Sequence, residues 1–318
     1  MKNCTAINTK QLRFSVTGIV AALVFGLAGQ STAWAAEYER IVAFGDSLMD
    51  SGNAFVLTGE VSTPPFDPVP SGAYAIGGHH FSNGRTWVEQ LGEAMGLQRS
   101  TGPSARNPGV FSNYAIGGSR ARSGSGSPSA TQQVSQFLTD SGGVASSRDL
   151  YLFGFGGNDV RDAMLQQNGS LIGEAVFGIR DNLLALCSAG AGHIVIANVP
   201  NVGVVPGIQR FGEPVIGFAT LLSAALNTGV QQWVAQYVQP QCPNTRFDTL
   251  DTFALSGAVF ATPGFFGFED AEPCLTFGVI DNAVCDRPDA KFFWDALHPT
   301  RAGHALIAAQ AMDLLGQG

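Results

Sequence analysis

Four short blocks, far apart but in a fixed order, carry the residue types of serine acyl transfer. They are Phe44-Gly45-Asp46-Ser47-Leu48, Asn113-Tyr114-Ala115-Ile116-Gly117-Gly118, Gly156-Gly157-Asn158-Asp159 and Asp295-Ala296-Leu297-His298. A serine hydroxyl is a poor nucleophile until a base stands beside it. Asp295 and His298 are three residues apart, a spacing that on one turn lets the carboxylate reach Nδ1 and leaves Nε2 for a serine. Gly118 lets the backbone come close to a ligand and offer its N–H, and Asn158 supplies a side-chain amide. With the Ser47 N–H, these make three donors for an oxyanion. Each block alone also reads as a turn, a capping acid or a strand-end glycine. The ordered set is harder to explain by packing.

The elements around the blocks predict how they are held. Arg40 to Phe44 reads as a buried strand ending at Gly45, which places Ser47 just past its carboxyl end. Further strands are expected at 111–116, 149–153, 193–199 and 246–250, and helices at 87–95, 132–138, 171–189, 216–238 and 301–315, the last capped by Thr300. Strands alternating with helices imply one α/β domain, a three-layer α/β/α sandwich on a central, mostly parallel sheet. A Gly/Pro-rich stretch from Gly59 to Gly84 has no periodicity, and loops of that length are often lids or binding loops. His193 and His304 are expected to be structural, and His79 and His80 to be solvated loop residues. Asp46 and Asp50 read as turn and helix-start acids.

Lys2, Lys10 and Arg13 precede an apolar run from Phe14 to Ala28, followed by Ala33-Trp34-Ala35. That is a signal-peptide pattern over residues 1–35, leaving a mature domain over 36–318. No membrane span is expected once the signal is removed, and an exported, periplasmic or extracellular, monomer is expected. The full chain carries a net charge of −8, and losing the three signal cations makes it −8 − 3 = −11. Such an acidic chain has no nucleic-acid footprint. Cys187, Cys242, Cys274 and Cys285 remain, an even number in an exported chain, which suggests two disulfides. Three pairings are possible, and Cys274–Cys285 with Cys187–Cys242 is favoured. There is no Cys-x-x-Cys and no nearby histidine pair, so zinc is not expected. Nothing calls for another metal or an organic cofactor. Gly154 to Gly157 lacks the third glycine and acidic partner of a dinucleotide loop.

With the flanking Phe81-Ser82-Asn83-Gly84-Arg85, Trp87, Trp294 and Pro299-Thr300, the four blocks resemble the GDSL family of SGNH hydrolases, secreted esterases and lipases of the lecithinase and hemolysin-like type. The resemblance runs nearly the length of the mature chain. It implies a flavodoxin-like fold and a site of Ser47, Gly118, Asn158 and His298, with Asp295 orienting the histidine. The chain has no Gly-x-Ser-x-Gly, so the α/β-hydrolase elbow is not the template. The implied substrate is a carboxylic ester, a glyceride, phospholipid or simple acyl ester. Glycan O-deacetylation and acyl transfer between lipids stay open, as does a secreted binding module. The apolar segments Phe260–Phe268 and Tyr74–Phe81 are candidates to line an acyl pocket.

Overall fold

The computed structural model describes residues 37–59, 79–124, 126–276 and 284–317. The signal pattern and most of the Gly/Pro-rich stretch lie outside them. Four parallel strands form the sheet in the order β1–β2–β3–β4: β1 Arg40–Gly45, β2 Asp149–Gly154, β3 His193–Ala197 and β4 Arg246–Leu250. Their near-continuous apolar sequences are those of strands covered on both faces.

Alternation along each strand sorts the core into two halves. Val42, Phe44, Tyr151, Phe153, Ile194 and Ile196 face one core, shared with α3 (Ala130–Asp140), α4 (Gly157–Leu165), α5 (Ser170–Ser188) and α7 (Val215–Trp233). Ile41, Ala43, Leu150, Leu152, Val195 and Ala197 face the other, shared with α2 (Trp87–Met95) and α9 (Arg301–Leu315). The result is a three-layer α/β/α sandwich. Short helices α1 (Asn53–Thr58) and α6 (Pro206–Gln209) lie between these elements, and α8 (Thr252–Ala261) follows β4. A two-stranded parallel pair, β5 (Asp270–Pro273) and β6 (Lys291–Phe293), lies apart from the main sheet.

The strand expected at 111–116 is an extended segment, bridged to β1 only at Asn113 and Ala43. Its backbone is shared between two neighbours. Tyr114 and Ile116 donate to Ala43 and Gly45 of β1, while Ser112 and Asn113 donate to Ser100 and Gly102. The Ala115 N–H is taken by the Asn113 side chain. The helix expected over 216–238 is α until Trp233 and then a π turn over Val234–Val238. Thr300 caps α9 by accepting from the Gly303 N–H at 3.1 Å.

Two cysteine pairs are within bonding distance. Cys187, in the last turn of α5, meets Cys242 with Cα atoms 5.9 Å apart, and Cys274 meets Cys285 at 4.9 Å. Among the described residues no helix is long and apolar enough to cross a membrane.

Candidate active site

Ser47 follows β1 directly, and Gly45 is what allows the tight exit. A Cβ at Gly45 would come within 2.6 Å of Met49 Sδ and 2.9 Å of the Gly154 carbonyl on the neighbouring strand. Gln133 of α3 pins this strand end from both sides. Its Oε1 accepts from the Gly45 N–H at 3.0 Å, and its Nε2 donates to the Gly45 carbonyl at 2.9 Å.

Across a gap of 251 residues, Ser47 Oγ lies 2.8 Å from His298 Nε2. His298 Nδ1 lies 2.7 Å from Asp295 Oδ2. Oδ1 of the same carboxylate accepts from the Leu297 and His298 backbone N–H groups, both at 2.7 Å. Asp295 therefore fixes both the imidazole and the turn that carries it. With the Nδ1 proton held by the carboxylate, Nε2 keeps its lone pair for the Ser47 hydroxyl. The turn itself hangs from β6, where the Trp294 N–H donates to the His298 carbonyl at 2.7 Å.

Charge follows this geometry. Burial pulls the His298 pKa down, but the adjacent Asp295 carboxylate outweighs it and leaves the imidazole above its ordinary value of 6.5. Burial pushes Asp295 up, yet His298 and the two backbone donors hold it below the usual carboxylate range. Asp46, next to the serine, has no such counterion in contact. Burial pushes it up to about 6, although the Leu48 N–H and the charge of His298 oppose the rise.

The other two blocks close on the same place. Asn158, in the first turn of α4, donates from Nδ2 to the Ser119 carbonyl at 2.9 Å, with Asp46 Oδ2 at 3.5 Å. A contact of 3.5 Å holds the second amide hydrogen only weakly. Gly118 has φ +80°, and a Cβ there would sit 2.9 Å from Ser127 Oγ. Among the described residues, no acceptor takes the N–H of Ser47 or of Gly118.

Several residues that hold these parts in register carry no role in the sequence reading. Asp50 reads there as a helix-start acid, and it does accept from the N–H groups of Gly52, Asn53 and Ala54. Its Oδ2 also accepts from the Gly117 N–H at 2.8 Å, which ties the serine segment to the glycine segment. Asn53 and Asn113 add cross-links between the same segments. Asp159 accepts from the Ala121 N–H at 2.8 Å, and Asp162 pairs with Arg120 and Arg122. These bonds lock the loop after Gly118 to the helix bearing Asn158. A signal was present in the sequence, since Asp159 belongs to the third block.

Two histidines differ from expectation. His80 is buried and bonds Glu89 Oε2 at 2.8 Å, so it is not a solvated loop residue. His79 stacks on Phe55 with ring centroids 3.4 Å apart. His193 is structural, held between Tyr38 and Asp248.

Residues 41–311 match the sequence profile of the family described as GDSL-like Lipase/Acylhydrolase. The chain belongs to that family. It is 25% identical over 299 residues to the thermolabile hemolysin of Vibrio parahaemolyticus, covering 87% of this chain and 64% of the hemolysin. It is 28% identical over 178 residues to Lipase 1 of Photorhabdus luminescens, covering 55% of this chain and 24% of that lipase. The GDSL chain thus spans less than two thirds of either relative. A GDSL esterase/lipase of Arabidopsis thaliana is 25% identical over 312 residues, with 86% of this chain and 88% of the plant protein covered. Among solved structures, the acetyl xylan esterase Axe2 of Geobacillus stearothermophilus superposes with a TM-score of 0.46 at 16% identity, over 87% of this chain and 94% of Axe2.

Proposed function

We propose that the protein is an exported serine esterase or lipase that hydrolyses carboxylic esters through an acyl-enzyme, with a mature chain starting at Ala36. The observation that carries the reading is the unbroken Ser47–His298–Asp295 chain of contacts at 2.8 and 2.7 Å. Such a chain is what a hydroxyl needs to become a nucleophile near neutral pH.

In the first step Ser47 Oγ attacks the ester carbonyl carbon while His298 Nε2 accepts the hydroxyl proton. The carbonyl electron pair moves onto oxygen, and the Ser47 N–H, Gly118 N–H and Asn158 amide receive that charge. When the pair returns, the bond to the leaving oxygen breaks and His298 gives its proton to the departing alcohol. Water then attacks the acyl-serine, again losing a proton to His298. The carboxylic acid leaves and the proton returns to Ser47. Asp295 stays ionised throughout and stabilises the imidazolium at each step.

The four cysteines paired in two places support an oxidising compartment. The substrate is an acyl glyceride, a phospholipid or a simpler acyl ester, and the test is hydrolysis of p-nitrophenyl esters by the wild type, Ser47→Ala and Asn158→Ala. Ser47→Ala is expected to abolish turnover beyond background. Asn158→Ala is expected to lower kcat by roughly 10²–10³. Wild-type rates in Ser47→Ala would overturn the nucleophile, and wild-type rates in Asn158→Ala would remove it from the oxyanion site.

A further inference from the structure

The carboxyl group beside the nucleophile has one oxygen more than its turn requires. Asp46 Oδ1 accepts from the Leu48 N–H at 3.0 Å, a bond that shapes the exit from β1. Asparagine or serine makes such a turn bond as well, and without a charge. Oδ2 is the surplus atom. Asp46 is only 5% exposed, and among the described residues the one donor near Oδ2 is Asn158 Nδ2, at 3.5 Å. A buried carboxylate without a close partner is costly, and burial accordingly pushes its pKa up to about 6. The turn alone does not explain a residue that carries this cost.

Oδ2 faces the first turn of α4, where a Cβ on Gly157 would lie 3.7 Å from it. Asn158 comes next, and its amide nitrogen stands between two acceptors, the Ser119 carbonyl at 2.9 Å and Asp46 Oδ2 at 3.5 Å. A side-chain amide has a donor end and an acceptor end, and a half-turn about its last bond exchanges them. The acceptors around it decide which end lies where. Turned over, Asn158 would set its own oxygen against the Ser119 carbonyl and the Asp46 carboxylate. With the nitrogen there, one hydrogen goes to Ser119, and Asp46 holds the second only weakly. That second hydrogen is the one a forming oxyanion can draw on.

We propose that Asp46 is a positioning residue of the oxyanion site: its carboxylate keeps the nitrogen of the Asn158 amide, and not the oxygen, toward the reacting carbonyl. This role rests on the serine-esterase reading above. A carboxylate disfavours a second negative charge nearby, so the benefit exists only while Asn158 is present to carry it. The charge of Asp46 also favours the protonated form of His298. That effect does not pass through Asn158, which makes the two separable.

Asp46→Asn is the sharpest probe. The new side chain keeps an oxygen for the Leu48 N–H and puts an NH2 group where Oδ2 was, donor against donor at Asn158 Nδ2. The experiment is a double-mutant cycle of wild type, Asp46→Asn, Asn158→Ala and the double variant. Rates are measured at about pH 8, where Asp46 is ionised, with the p-nitrophenyl ester that wild type cleaves fastest between acetyl and dodecanoyl. Sites are counted by fluorophosphonate labelling to completion, so a loss of folded material cancels.

Asp46→Asn is expected to lower kcat by about 10–100-fold while KM moves by less than about threefold. In the Asn158→Ala background the same substitution is expected to change kcat by less than about threefold. Asp46→Ser keeps an acceptor for the Leu48 N–H and has no atom at the Oδ2 position. It is expected to show the same coupling, and it decides the matter if Asp46→Asn yields no labelled protein. Equal losses in the two backgrounds would assign the effect to the turn or to His298 and overturn this role. Wild-type kcat in both Asp46 variants would overturn it too, and either result leaves the esterase reading standing. Absence of hydrolysis of any ester by wild type would overturn the esterase reading and this role with it.

Discussion

Asp295 divides its two oxygens between tasks: Oδ2 meets the imidazole and Oδ1 holds two backbone amides of the same turn. Removing its charge while keeping its shape should therefore leave the turn in place and strip the imidazole of its counterion. Asp295→Asn is expected to lower kcat by about 10⁴, because the amide favours the wrong tautomer. It should also move the acid limb of the kcat/KM profile. His298 must be neutral to accept the Ser47 proton, so activity rises with pH through its pKa. That pKa lies above 6.5 in the wild type because of Asp295, and the limb should move to lower pH in Asp295→Asn. An unmoved limb would show that another group titrates there. At this scale the sequence was most legible. The types and order of the four blocks are local properties, whereas the roles of Gln133 and Asp50 depend on strands and loops that only the fold brings together. Neither Gln133 nor its partner Gly45, 88 residues away, carries a pattern that points to the other.

The main strands and long helices of the elements follow from periodicity and turn residues, since each buries a regular face. The elements not anticipated are those with weak or misleading patterns. Helix α4 begins at Gly157 directly after Gly156, a pair that reads as loop, yet Gly156 at φ +126° supplies the turn from which the helix starts. Helix α8 is apolar around most of its circumference and lacks a one-sided stripe. Strands β5 and β6 are four and three residues long, too short for alternation to show. Cys187–Cys242 ties the end of α5 to the segment before β4, closing 55 residues. Loop entropy for that length is about 4 kcal/mol, an upper figure for what the link contributes. Replacing both cysteines by alanine is expected to cost roughly 2–4 kcal/mol in urea unfolding while leaving the site geometry intact. A cost below about 0.5 kcal/mol would mean the link does not constrain the unfolded chain.

For the whole molecule, the buried histidine of α9 links stability to pH. His304 is fully buried, and neither ring nitrogen has a hydrogen-bond partner among the described residues. Burial, with the positive charges of His298 and His80 nearby, pulls its pKa down to about 3. Unfolded chains bind a proton at an ordinary histidine near 6.5, while the folded one does not until about 3. Stability from this residue is therefore full above 6.5 and declines as pH falls toward 3. His304→Leu should flatten that decline, with the wild-type midpoint falling roughly 5 °C further than the variant's between pH 6.5 and 4.5. Parallel curves would show that the imidazole finds a partner when protonated. Composition shows an acidic chain, and the expectation that His304 is structural rests on its helix position. Its lack of a hydrogen-bond partner among the described residues is a property of packing between α2 and α9, which no local pattern records.

The measurement closest to the central claim is covalent capture. Folded protein would be treated with a fluorophosphonate and digested, and the modified peptide identified by mass. One adduct is expected, on Ser47, forming in the wild type and lost in His298→Ala. An adduct on any other residue, or equal labelling of Ser47 in His298→Ala, would contradict it.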